Sequence, residues 1–343
     1  MAASAIPGFL ALTIFTAILG MFQFGFNTGV VNVPQAQIEA FIGKVYQSRN
    51  GVPIKKSLTT TIFSLLVSAF LVGGMIGGLS GGYLANKVGR KQGIFLTQSL
   101  SIIGAILSGI SKPASTYEIL IIGRLFIGVA CGLFTGLVPL YITEVAPVNI
   151  RGGLGTFNQL AVTSGIFLSQ ILGLKNVLGS EDNWPILVSL TAIPAVIQAI
   201  LLLFMPESPR FLILDKKDDE AGKKALIKLR ATDDIDEELD EIKGEANSTN
   251  DSGSLSVWQL LKTPNLRLAL FVTICMHLSQ QLSGITAIFY YSTKFFQVRL
   301  LKNSSNCFSQ YSCNLTIFFV FCRVRVSVVV IRSTLPWVLE QSW

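Results

Sequence analysis

The sequence predicts an all-α membrane protein that crosses the bilayer several times. Half of its 343 residues are hydrophobic and 14% are charged, and the mean hydropathy of +0.57 exceeds ordinary globular usage. Seven apolar runs, at about 9–31, 60–82, 94–110, 119–141, 154–174, 185–204 and 266–291, approach or exceed the roughly 20 residues a helix needs to cross a hydrocarbon core of about 30 Å. Between the sixth and seventh lies a polar block, 206–265, that holds 14 of the 20 acidic residues.

The first run is too long for the apolar stretch of a signal peptide and no basic segment precedes it, so it is expected to remain as the first span. In the second run, VGGMIGGLSGGYL sets Gly73, Gly77 and Gly81, and Gly74, Gly78 and Gly82, at four-residue spacing. Such faces let helix backbones approach closely, either as static packing or as a smooth surface along which bundles rock. Within the polar block, Ala221, Ala225, Leu226 and Leu229, then Ile235, Leu239 and Ile242, recur at helical spacing and predict short amphipathic helices. Residues 244–254 have linker composition, and the sequon at Asn247 is expected to be unused.

The formal charge of +7 does not point to nucleic acid, because the basic residues are scattered through short loops without an aromatic-basic patch. Cys131 and Cys275 lie in apolar runs, and Cys307, Cys313 and Cys322 lack metal spacing, so neither a metal site nor a disulfide is expected. Lys and Arg near span ends favour a cytoplasmic N-terminus: that orientation puts Lys87, Arg90, Lys91, Arg151 and the nine basic residues of the polar block inside. It also leaves Lys44, Arg49, Lys55 and Lys56 in an external first loop, against the rule.

Carboxamides recur in the apolar runs: Gln23, Asn27, Gln98, Asn158, Gln159, Gln170, Gln198, Gln280 and Gln281. Each costs free energy in hydrocarbon unless satisfied, so each either bonds a neighbouring helix or faces a polar solute. A sugar both donates and accepts hydrogen bonds without charge, as carboxamides do. Phe289, Tyr290 and Tyr291, and Phe22, Phe24 and Phe26, are either packing groups or ring faces for a pyranose. Arg90 and Lys91, Glu144 and Arg151, and Glu207 and Arg210 follow the second, fourth and sixth spans. They are either separate topology determinants or one cytoplasmic ion-pair network that opens with the bundle.

The strings QFGFNTGVVN (23–32), NKVGRK (86–91), GRLFIGVACGL (123–133), YITEVAPVNIRGGLGTFNQL (141–160), PESPRFL (206–212) and QQLSGITAIFYYST (280–293) resemble, in the same order, the facilitative glucose transporters of the sugar porter branch of the major facilitator superfamily. The resemblance implies a six-helix bundle over 1–205, a cytoplasmic helical domain over 206–265 and helix seven of a second bundle over 266–297. It implies substrate contacts at Gln159, Val162, Ile166, Gln280, Gln281, Thr286 and Phe289. Proton-coupled relatives carry Asp where Asn27 stands, and an amide cannot relay a proton, which favours uniport.

Three departures stand out. Thr286 replaces an Asn of the family's binding motif, putting affinity or sugar choice in doubt. His277 stands where glucose-selective members have Gln, and there it resembles members that also accept fructose, or else it is a neutral packing group. After Gln297 the resemblance stops, and 298–343 reads as an aberrant tail: Arg323 and Arg325 near the middle of the apolar run 315–331 each cost roughly 2.5–3.5 kcal/mol to insert. Gln297-Val298 is a pair that CAG-GTN encodes, so a retained intron or mispredicted transcript is expected.

The expected function is transport without covalent chemistry: uniport of glucose, with fructose admitted, across the plasma membrane by alternating access, with no cofactor. The expected partners are the hexose and the bilayer, and a homo-oligomer is compatible with this. The alternative is a truncated, non-transporting variant that associates with full-length transporter or serves as a sugar-responsive interaction module.

Overall fold

The computed structural model describes residues 7–174, 176–232, 235–236 and 238–244, with the single residues Arg267, Phe271, Ile274, Cys275, Leu278 and Leu282. The chain divides into two compact units, 1–243 and 244–343. In the second unit, Phe271, Ile274, Leu278 and Leu282 are helical and exposed, spaced by three and four residues along one helix face.

The described part of the first unit is helical. Its helices are α1 (Gly8–Gly29), α2 (Gln35–Asn50), α3 (Lys56–Val88), α4 (Arg90–Ile110), α5 (Tyr117–Val145), α6 (Val148–Leu172), α7 (Trp184–Ser189), α8 (Ala192–Phe204) and α9 (Asp219–Arg230), with a π-helical turn at Phe211–Asp215. Among the described residues, five stretches are long and apolar enough to cross a membrane: α1, α3, α4, α5 and Trp184–Phe204. The 25 residues of α6 are long enough but too polar to join them.

Two differences from the sequence reading have local causes. The first loop holds a 16-residue helix, α2, because Ile38, Phe41, Ile42 and Val45 form an apolar stripe that is buried in the bundle, with Phe41 against Trp184 at 5.4 Å between ring centroids. The run 185–204 is broken between α7 and α8. Pro194 has no N–H for the Leu190 carbonyl and its ring crowds that group. The chain responds with shorter three-residue bonds, Leu190 N to Leu187 O at 3.3 Å and Ile193 N to Leu190 O at 3.1 Å.

Helix α5 packs between α3 and α4, and α1 packs on α6 and α5. The α3–α5 seam brings backbone onto backbone: a Cβ on Gly77 would strike the Val129 carbonyl, and one on Gly132 the Gly74 carbonyl. Gly78 and Gly82, on the other glycine face of α3, meet nothing within 4 Å. Across the α1–α6 seam, Gly25 sits against the Val162 backbone and Gly165 against the Phe22 carbonyl.

The segment after α8 folds onto one end of the bundle. Asp218 caps α9 by accepting from Ala221 N at 2.9 Å. The apolar face of α9 contributes Leu226 to a small core with Ile213, Ile235 and Ile242. Arg230 reaches the carbonyl that ends α5, donating to Val145 O at 2.8 Å, and Tyr141 Oη donates to Pro206 O at 2.7 Å. The opposite end is tied by exposed pairs, Arg49 with Glu118 at 2.7 Å, Lys112 with Asp182 at 3.0 Å, and Lys44 with Glu181.

Gly77→Ala is expected to destabilise the purified chain by about 1–3 kcal/mol, because the added methyl must push α3 off α5. Gly78→Ala, with open space around it, is expected to be neutral or slightly stabilising. Thermal unfolding in one detergent compares them, and equal melting temperatures would rule out a tight α3–α5 seam.

Candidate functional site

Three polar constellations stand out in the first unit, and their residues come from distant parts of the chain. The first is in the bundle core, where Gln23, Asn27, Gln98, Ser101, Arg124, Thr191 and Gln198 are all buried. Gln198 of α8 is the hub. Its Oε1 accepts from Gln23 Nε2 of α1 at 2.8 Å and from Gln98 Nε2 of α4, and its Nε2 donates to Ala17 O at 3.3 Å. Ser101 Oγ donates to Gln23 Oε1 at 3.0 Å. One turn along α1, Asn27 Nδ2 donates to Gln23 O at 2.9 Å while Asn27 Oδ1 accepts from Thr191 Oγ1 at 3.0 Å. Arg124 of α5 donates both terminal nitrogens to Asn27 O, at 3.0 and 3.1 Å, and its guanidinium lies 4.5 Å from the Phe70 ring centre. Four of the carboxamides named from the sequence are therefore interhelical ties.

The second constellation lies at the end covered by residues 206–243. Arg90, at the start of α4, pairs with Glu144 at 2.9 Å, both side chains 10% exposed, and with Asp215 at 2.9 Å. Its guanidinium also lies 4.7 Å from the Phe211 ring centre. Glu207 acts as an N-cap for α4 from outside the helix: its Oε1 accepts from the backbone N–H groups of Arg90 at 3.0 Å, Lys91 at 2.8 Å and Ser208 at 3.0 Å. Gly89 makes this approach possible, since φ is +106° and a side chain there would strike the Glu207 carboxylate and the Phe211 ring.

Of the six charges grouped from the sequence, the structure joins Arg90, Glu144 and Glu207. Lys91 joins through its backbone N–H, its ammonium turning instead to Leu203 O. Arg151 stands in the first turn of α6, half-buried, and Arg210 precedes the π-helical turn. The sequence reading missed Asp215 and Phe211, which nothing distinguishes among neighbouring acidic and apolar residues. It also missed Arg124, which a signal did mark: a lone charge in the middle of an apolar run.

The third constellation is the polar side of α6. Gln159 is half-buried, and Asn158 donates to Gly155 O at 3.3 Å while its Oδ1, shielded from solvent, has no partner among the described residues. Val162 and Ile166 are buried, at 3% exposure each, in the seam with α1. His277, Gln280, Gln281, Thr286 and Phe289 lie outside the described residues.

A multi-span helical bundle with a polar core and a charge-capped end defines the chain as a multi-pass membrane protein. The family described as "Sugar (and other) transporter" matches residues 12–334, continuing past Gln297. Facilitated glucose transporter member 3 of solute carrier family 2 from Gallus gallus is 44% identical over 288 residues, 84% of this chain and 58% of that protein; the Homo sapiens protein is 41% identical over the same shares. The chain belongs to the sugar transporter family, and it spans less than two thirds of the length of these relatives. The partially occluded, inward-open xylose transporter XylE from E. coli superposes with a TM-score of 0.73, at 22% identity over 95% of this chain and 74% of that one. XylE bound to 6-bromo-6-deoxy-D-glucose gives 0.71, at 24% identity over 94% and 69%. These likenesses establish the major facilitator fold.

Gln198→Leu keeps the volume but removes the hub, leaving Gln23 and Gln98 buried without their shared acceptor. The expected loss is about 1–3 kcal/mol of stability, read as a lower midpoint in detergent-titrated unfolding. An unchanged midpoint would show that the network stabilises nothing.

Proposed function

We propose that this chain contributes to facilitative transport of a hexose by alternating access. The observation that carries the reading is α6, a helix of spanning length that carries a half-buried Gln159 and, beside it, an Asn158 oxygen shielded from solvent without a partner among the described residues. Carboxamides suit a solute whose hydroxyls donate and accept. Gln159 would form one wall of the site. Gln280, Gln281, Thr286 and Phe289 would form the other, with Val162 and Ile166 backing the first, and His277 would widen acceptance from glucose to fructose. Asn27 supports uniport: its amide is occupied at both ends by Gln23 and Thr191, and it has no proton to relay. The bundle would be 1–205, with 206–265 a cytoplasmic helical domain and 266–297 helix seven. The basic residues at the 206–243 end support a cytoplasmic N-terminus, and the plasma membrane is the proposed location. The network of Arg90, Lys91, Glu144, Arg151, Glu207 and Arg210 would close that end.

The second reading is a chain that does not itself transport but associates with full-length transporter. Proteoliposomes holding the full chain separate the two. Uniport predicts saturable D-glucose or D-fructose uptake unaffected by collapsing the proton gradient, and at least tenfold weaker uptake for Gln159→Leu. No uptake alone, together with co-purification and altered uptake when a full-length relative is present, would replace the first reading with the second.

A further inference from the structure

Two lysine ammonium groups converge on the carbonyl end of α8. Lys91 Nζ, from the first turn of α4, donates to Leu203 O at 3.3 Å, and Lys228 Nζ, from α9, donates to Phe204 O at 3.4 Å. Both bonds exceed the usual length of about 2.9–3.0 Å, and each ammonium has three donors, so most of their donor capacity is left over. Neither enters an ion pair among the described residues. The two charges act on each other, and Glu207 acts on Lys91, but Glu207 already serves the backbone N–H groups that begin α4. Lys224 lies one turn before Lys228 on α9 and is exposed.

Capping alone does not account for this arrangement. A helix C-terminus carries about half a negative charge and the α4 N-terminus about half a positive one, so with the Glu207 carboxylate counted the two full positive charges still leave an excess of about one. The apolar spans end at the same place: Leu203 and Phe204 are 62% and 65% exposed, and Lys228 lies 4.5 Å from the Phe9 ring centre. The excess charge therefore sits at headgroup level, above apolar surface.

We infer that Lys91, Lys228 and Lys224 form a headgroup site for an acidic phospholipid, its phosphate between the ammonium groups and an acyl chain along Leu203, Phe204 and Ile200. The site requires an acidic lipid headgroup but no transport, so it stands or falls apart from the proposed function.

The full chain in neutral detergent is titrated with dioctanoyl phosphatidic acid, dioctanoyl phosphatidylcholine and inorganic phosphate, read by calorimetry and melting temperature. Phosphatidic acid is expected to bind saturably and raise the melting temperature, with little response to the others. Lys228→Gln is expected to weaken binding about fivefold, as one lysine at an anionic surface is worth, with Lys228→Arg retaining it. Should Lys228→Gln fail to fold, Lys224→Gln, altering an exposed side chain, must show a similar loss. Equal binding of phosphatidylcholine, equal binding of inorganic phosphate, or unweakened binding in the Gln variants would overturn the site.

Discussion

Lipid offers no hydrogen bonds, and that constraint governs the polar side chains in the core of this bundle. A carboxamide in hydrocarbon must find its partners within the protein. Gln198 supplies them for α1 and α4 at once, and Asn27, Thr191 and Arg124 extend the tie to α5. Hydrogen bonds between membrane helices average only about 0.6 kcal/mol each, so the network's main contribution is register: sliding α8 against α1 by one turn would orphan Gln23, Gln98 and Gln198 together. Glycine adds to this by letting α3 and α5 meet along their backbones. Packing and polar satisfaction thus favour the same arrangement.

The charged end obeys a different rule because water reaches part of it. Arg90 and Glu144 are nearly buried, while Asp215 is 45% exposed. A buried ion pair draws little net stability from its charges once desolvation is counted. What Arg90 does provide is convergence: one guanidinium joins the start of α4, the end of α5 and the π-helical turn. Glu207 fixes that turn to the N-terminus of α4, where a carboxylate belongs. These contacts join the bundle to the segment after α8, and they are the ones that must change if that end opens.

The spans were legible in the sequence because an unbroken apolar run of about 20 residues matches the thickness of a bilayer and little else in a folded chain. The α2 stripe was equally periodic but sat among charges, in what read as a loop, and Pro194 marked the break after α7 without announcing how the chain would respond. The fates of the carboxamides were not legible. Gln23 and Gln198 are 175 residues apart, and nothing local to either distinguishes a tie from a ligand contact such as that expected at Gln159. The charge grouping fared better because ends of successive spans must share a face, and that geometry follows from counting crossings. Asp215 was hidden for the opposite reason, being one acidic residue among many in its block.

Helix α6 is where the same constraint points outward. Gln23, Asn27 and Gln198 are bonded through both ends of their amides within the bundle, whereas Gln98 is tied through its Nε2 alone, its Oε1 having no partner among the described residues. Asn158 keeps an oxygen shielded from solvent and without a partner among the described residues, and Gln159 beside it is only half-buried. Left against lipid, such a face would cost free energy with nothing to offset it. It is tolerable beside an aqueous cavity, a polar solute or further protein. The shielded Asn158 oxygen and the half-buried Gln159 are therefore the physical reason to look to α6 for contact with a polar solute.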